Sequence, residues 1–371
     1  MTKRPNKRAK VEQNKRAKGE RNKSKRQGKR PKGIRPPAQG FTLSLRNTPD
    51  VEPMSFAANS YTTLDKLTFL NALAVPVLIN DGKQVVCAGS AFNIAPDGLW
   101  VTARHVLEAA LRVVGDNPDA HIFLLWVDPH EGELVAHGED QAHPHRRAAT
   151  IPVTGHSRDT VNLSDLAILR AGMLNDDGTP FEFPLTRLSA RVPKTGTAVA
   201  AFGYPRFDVS SDVWEEQLRA TAFVPTLAVA TGHVTDVYRE GISTFRDPWD
   251  ESYSGKLPTV CFATSARFDR GMSGGPVMDE DGAICGIVCS GNDLSAEHPS
   301  DISFASATPF IFTLPAMLDS DDLHEAAMTV NRLAQIGVVP VDGYFDRLTI
   351  EERQDGGQLI SYPCEDDDEA P

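Results

Sequence analysis

Cysteine is scarce and odd in number, with five among 371 residues: Cys87, Cys261, Cys285, Cys289 and Cys364. That argues against a disulfide framework, no paired CxxC zinc pattern is formed, and the set suits a reducing compartment. Long apolar runs are also missing. The longest, "LNALAVPVLI", is much too short to cross a bilayer, and no apolar stretch follows the positive N-terminus, so neither a membrane span nor a secretory signal is read. A soluble, cytoplasmic, non-secreted protein is expected, with a nuclear address open if the host is eukaryotic.

Large apolar side chains are almost absent from residues 1–35, and aromatic ones are absent altogether. Such a segment cannot offset the entropy of ordering, so residues 1–40 are expected to form an arm that is disordered when unbound. Residues 1–35 carry 16 Lys+Arg against Glu12 and Glu20, a net of +14, whereas the rest of the chain has a net of −26. Three fates are open to this basic arm. It contacts nucleic acid or another polyanion by counterion release, it folds back on the acidic body, or it stays solvated. Without aromatic side chains to stack on bases, any nucleic-acid contact is expected to be non-specific.

What the chain does have is a long series of short apolar runs divided by turn chemistry. "ALAVPVLIN", "QVVCAGSAFNIA", "LWVTA", "AHIFLLWVD" and "DLAILR" are separated by "DGK", "PDG" and "GDNPD". A second set follows: "TAVAAFGYP", "PTLAVATGHVTDVY", "LPTVCFAT", "GGPVMD", "AICGIVCSG" and "ISFASATP". Two such sets predict an all-β chain of two antiparallel barrels or sandwiches, over residues 60–190 and 191–310. Helical periodicity appears in "VLEAALRVV" after His105. It returns in "DDLHEAAMTVNRLAQIG", where Leu323, Ala327, Val330, Leu333 and Ala334 share a face before Gly337. Residues 311–340 thus read as a helical segment and 341–371 as an acidic extension ending in a solvated "YPCEDDDEAP".

The chemistry centres on "RFDRGMSGGPVMDEDGAICGIV", where glycines and a proline surround Ser273. A nucleophilic serine needs a base to take its proton and an acid to hold the base's tautomer. "GLWVTARHVLEAA" places His105 where a strand gives way to a helix, and "VNLSDLAILR" places Asp165 at the mouth of a strand. The amide N–H groups of Gly271 and Ser273 can then point at a developing oxyanion, a donor pair of large catalytic effect. Gly274 and Gly275 would let the chain pass close to a substrate cleft.

In that order, "VVCAGSAFNIAPDGLWVTARHV", "SDLAIL", "AFGYP" and "TSARFDRGMSGGPV" resemble the successive blocks of trypsin-like serine peptidases. They are most similar to the HtrA/Deg and other intracellular bacterial-type branches, over about residues 70–310. The resemblance implies two perpendicular six-stranded β-barrels with the active site in their crevice, and peptide-bond hydrolysis through an acyl-enzyme. It makes His105 the general base, Asp165 its orienting partner, Ser273 the nucleophile, and Gly271 with Ser273 the oxyanion hole. "GIVCSG" becomes the strand beside which a protein or peptide substrate lies, with Cys289, Ser290 and Gly291 lining the cleft. Met272 stands where the digestive branch has an aspartate that pairs with a newly cut N-terminus. No cofactor and no metal are called for.

Other readings compete for some of these residues. "GMSGG" also fits the elbow of α/β-hydrolases, but Gly275-Pro276 and the following strand do not continue as the helix that elbow needs. Asp159, Asp176 and Asp177 are rival acids to Asp165. Arg267, six residues before Ser273, lies near the base of the specificity pocket in trypsin-like folds, where a cation favours acidic side chains before the cut; the alternative is a loop arginine. His130, His137, His143 and His145 cluster in "DPHEGELVAHGEDQAHPHRR", yet their spacing fits no metal cage and the stretch reads as an exposed loop. The rival function is a catalytically silent module on the same fold that grips a peptide or a nucleic acid.

Overall fold

Strand alternation sets the architecture: along the central strands both faces are apolar, one for a barrel interior and one for a seam between barrels. The computed structural model describes residues 41–43, 54–64, 69–115, 117, 119–127, 148–175, 177–214, 217–246, 254–290, 303–316, 328–352 and 358–363, all within the unit Ala38–Pro371. The basic arm, the histidine-rich stretch and the acidic tail from residue 364 lie outside the described residues.

Strand β1 (Phe41–Leu43) pairs with β2 (Met54–Phe56), and β3 (Tyr61–Leu64) follows. The first half of the chain then lays down β4 (Val75–Asn80), β5 (Val85–Ala95), β6 (Leu99–Thr102), helix α1 (Arg104–Val114), β7 (His121–Val127), β8 (Ala148–Pro152), β9 (Gly155–Arg158) and β10 (Ala167–Arg170). They form one antiparallel sheet in the order β8-β7-β4-β5-β6-β10-β9, whose edge strands do not pair with each other among the described residues. It is a curved half-barrel. Trp100, Trp126 and Phe183 fill its interior, with edge-to-face contacts of 5.0 Å for Trp100–Phe183 and 5.3 Å for Trp126–Phe183.

The second half gives β11 (Ala198–Trp214), β12 (Gln217–Tyr238), the hairpin β13 (Ile242–Arg246) with β14 (Ser254–Leu257), then β15 (Cys261–Thr264), β16 (Pro276–Asp279), β17 (Ile284–Ser290) and β18 (Ser303–Ala307). The order β11-β16-β17-β18-β15-β12 returns to β11 through β11–β12 pairing, so six strands close a barrel. Val199, Ala201, Phe262, Phe268, Met272 and Val277 pack inside it. Residues of opposite parity, Ala200 and Phe202, join Phe92, Ile94, Val101 and Ile168 of the half-barrel in a shared seam core. Chymotrypsin-like double-barrel architecture is thus present, as a closed barrel and a half-barrel.

Four particulars differ from the sequence reading. The first barrel was expected to begin at residue 60, but β3 pairs with β12 and so extends the second sheet. The β11–β12 pairing continues out to Trp214↔Gln217, well past the run "TAVAAFGYP". Beyond residue 310, the one α-helix among the described residues is α2 (Val330–Gln335), capped by the Thr329 side chain, with Leu323 and Ala327 outside the described residues. The stretch read as an extension contains the hairpin β19 (Thr349–Glu352) with β20 (Gln358–Ser361).

Candidate active site

His105 is the second residue of α1, which starts where β6 ends at Thr102. No side chain of the capping residue Ala103 serves the helix start. Asp165 does: its Oδ1 accepts the His105 backbone N–H at 3.0 Å, and its Oδ2 lies 2.8 Å from His105 Nδ1. A carboxylate at a helix N-terminus also gains from the helix dipole. Both oxygens of one acid thus fix backbone and ring of one histidine. An ionised carboxylate only accepts, so Nδ1 carries the proton and the basic lone pair is on Nε2. The Asp165 side chain is 13% exposed and that of His105 33%, a half-buried acid beside a more exposed ring.

The loop that delivers Asp165 is wound around Asp159, one of the rival acids. The Asp159 carboxylate is buried and accepts from the amides of Val161 (3.0 Å), Asn162 (2.8 Å) and Ser164 (3.3 Å) and from the Ser164 hydroxyl (2.7 Å). Its valences are spent on the loop itself. Asp159 shapes the turn and Asp165 faces the imidazole; Asp177 is held in its own turn by Thr179.

Ser273 reaches the same corner through its backbone. Its carbonyl accepts the Ser90 N–H at 2.7 Å, and the Ser90 hydroxyl donates to the Gly271 carbonyl at 2.9 Å. The same hydroxyl accepts the Tyr204 N–H, and the Ser90 carbonyl accepts the Thr102 hydroxyl. Ser90 is wholly buried in β5 and stitches the serine loop to the half-barrel. Gly274 and Gly275 make this seating close. A Cβ on Gly274 would collide with the Ser90 carbonyl oxygen and come within 2.9 Å of the Ala103 nitrogen, and one on Gly275 would collide with the Phe202 carbonyl. The missing side chains of these glycines therefore let the serine loop press against both barrels.

Amide use along this loop alternates. Met272 N–H bonds to Asp269 C=O, Gly274 N–H to Val288 C=O, and Gly275 N–H to Met272 C=O. Among the described residues no acceptor takes the N–H of Gly271 or of Ser273. Met272 itself is buried in the second barrel's core, the opposite of a charged partner for a chain terminus.

The remaining sequence candidates divide. Cys289 is buried in β17 with Sγ 3.0 Å from Ser306 Oγ, and burial, with the nearby Asp165 charge second, pushes its thiol well up. Its buried side chain therefore does not form an open cleft wall. Ser290 ends β17, and Gly291 lies outside the described residues. Arg267 pairs with Asp269 through two bonds of 2.7 and 3.0 Å, and its guanidinium covers the Tyr61 ring at 4.6 Å. Sequence reasoning missed Ser90 and Tyr61, and weighed Asp159 only as a rival or loop acid. Among the described residues no group of three or more His, Cys, Asp or Glu side chains could hold a metal.

A closed six-strand barrel and a half-barrel, with a histidine–aspartate pair and a glycine-bounded serine at their seam, define the class of chymotrypsin-like double-barrel proteins. The family model of the trypsin-like peptidase domain matches residues 89–287, more than half of the chain, and the chain belongs to that family. It is a serine endopeptidase, acting on proteins or peptides. Solved structures similar to it include an inactive serine-to-alanine mutant of Rv3671c from M. tuberculosis H37Rv (17% identity, 64% of this chain and 82% of that chain, TM-score 0.34). Others are Deg5 (19%, 64% and 86%, 0.38) and the HtrA-type protease AlgW with a tripeptide (17%, 66% and 60%, 0.37). No curated protein matches the chain.

Proposed function

We propose that peptide bonds are cleaved by a His105–Asp165–Ser273 triad through an acyl-enzyme. The observation that carries this reading is the two-point hold of Asp165 on His105, which sets the imidazole tautomer for proton acceptance at Nε2. Ser273 Oγ attacks the carbonyl carbon while Nε2 takes its proton. The imidazolium, stabilised by Asp165, then gives that proton to the departing amine, and water activated by the same ring releases the acid. The N–H groups of Gly271 and Ser273, which donate to no acceptor among the described residues, bind the oxyanion. The backbone at Cys289, Ser290 and Gly291 serves as the strand beside which substrate lies.

The test is hydrolysis of a fluorogenic peptide library by the full chain and by Ser273→Ala and His105→Ala. Both substitutions should reduce kcat by about 10⁶-fold, to the residual level left by binding and the oxyanion donors. Undiminished cleavage by Ser273→Ala would refute the reading.

Two outer features follow the same proposal. The scarcity of cysteine, five among 371 residues, supports residence in the reducing cytoplasm. Among the described residues no helix is long and apolar enough to cross a membrane. The +14 charge of residues 1–35 supports salt-sensitive, non-specific attachment to a polyanion such as nucleic acid. Retention on DNA or RNA that is unchanged after deletion of residues 1–35 would contradict it.

A further inference from the structure

The connection from β15 to Ser273 is touched at three points by the segment before the half-barrel. Asn59 and Ser60 form the first latch. Ser60 N–H donates to Thr231 Oγ1 at 2.9 Å, Thr231 N–H donates to Ser60 C=O at 2.8 Å, and the Thr231 hydroxyl donates to Ala57 C=O at 2.7 Å. The Ser265 hydroxyl donates to Asn59 Oδ1 at 2.9 Å. Strand β3 then runs along β12 with Tyr61 opposite Ala230. That register lays the Tyr61 ring under the Arg267 guanidinium at 4.6 Å, and its hydroxyl beside Asp269; burial first, and then the Asp269 carboxylate, hold the phenol protonated.

Asp269 links this contact to the reacting loop. Its carboxylate takes both Arg267 bonds, its carbonyl accepts the Met272 N–H at 3.0 Å, and its own N–H points at Met272 Sδ at 3.4 Å. Met272 separates Gly271 from Ser273. A surface arginine–aspartate pair alone contributes little order. Covered by a ring that a strand holds in place, it becomes a fixed support for the turn. The guanidinium is committed to this contact, so Arg267 is assigned to the loop and not to a substrate's acidic side chain.

We infer that Tyr61 is a positioning residue for the nucleophile loop, acting through Arg267 and Asp269, so that docking of the N-terminal strand β3 sets the Gly271–Ser273 turn. The inference rests on the reading of Ser273 as nucleophile, and its test has a readout that does not. In the full chain carrying Ser273→Ala, Tyr61→Ala should speed hydrogen exchange of the peptide spanning residues 267–275 by about tenfold, with half-barrel peptides unchanged. With Ser273 present, Tyr61→Ala should lower kcat by about 10- to 100-fold and shift KM by less than about twofold. Tyr61→Phe, which keeps the ring on Arg267, should recover most of both. Unchanged exchange and kcat in a folded Tyr61→Ala protein would overturn the inference. If that variant does not fold, Asp269→Asn is read instead: loosening of the same peptide supports coupling, and native-like exchange with native kcat overturns it. A wild-type chain that cleaves nothing would defeat the nucleophile reading, while the exchange result still decides the strand's role.

Discussion

The amide of Ser90 donates to the carbonyl of Ser273 at 2.7 Å, while the hydroxyl of the same Ser90 donates to Gly271 at 2.9 Å. One buried residue of the half-barrel thereby grips the serine loop on both sides of Met272. Ser90→Ala removes a buried hydroxyl with its bonds to the Gly271 carbonyl and the Tyr204 N–H, at an expected cost of about 2–3 kcal/mol in unfolding free energy. Because the backbone bond to Ser273 survives, the fold should persist with a looser loop, and kcat should fall by about tenfold or more. Denaturant unfolding and peptide hydrolysis on the same preparation check both.

Asp165→Asn tests the tautomer. An asparagine fits the space, but its amide can donate to Nδ1 and so place the imidazole proton on Nε2, the wrong side. The expected loss in kcat is about 10⁴-fold with the thermal midpoint nearly unchanged. A loss below tenfold would show that Asp165 does not set the ring's proton.

Asp279 gives a pH dependence independent of catalysis. It sits at the turn between β16 and β17, with its carboxylate buried 3.5 Å from Arg191 and accepting the amides of Asp281 and Ala283. Burial pushes this carboxyl up to about 6, overcoming those favourable contacts. The folded state then holds the proton more tightly than the unfolded chain, whose carboxyl titrates near 3.9. The resulting stabilisation is complete below about pH 4 and is lost as pH rises through about 6, an effect of about 2–3 kcal/mol. Urea unfolding of the wild type against Asp279→Asn across pH 4–7 should show this fall in the first protein only.

Much of the fold is legible because turn residues bracket its strands. "DGK" divides β4 from β5 and "PDG" divides β5 from β6, and both pairs form with those turns between them. His105 and Asp165 are legible for a related reason, since each stands where an apolar strand meets another element. Tyr61 is not, because "YTTL" has no apolar alternation and its partners on β12 are more than 160 positions away. Ser90 reads as one small residue within "AGSAF"; only tertiary contact shows that its hydroxyl serves Gly271 and Tyr204. Asp159 and Asp165 are equivalent as letters. The folded loop separates them, by turning four local donors onto the first and the histidine onto the second.

The central claim is that the Ser273 hydroxyl is made nucleophilic by the Asp165-held imidazole. Reaction of the full chain with a fluorophosphonate probe, followed by peptide mapping, tests it most directly. The expected result is one covalent adduct on Ser273, absent in Ser273→Ala and slowed by orders of magnitude in His105→Ala. An adduct at another residue, or equal labelling of wild type and His105→Ala, would contradict it.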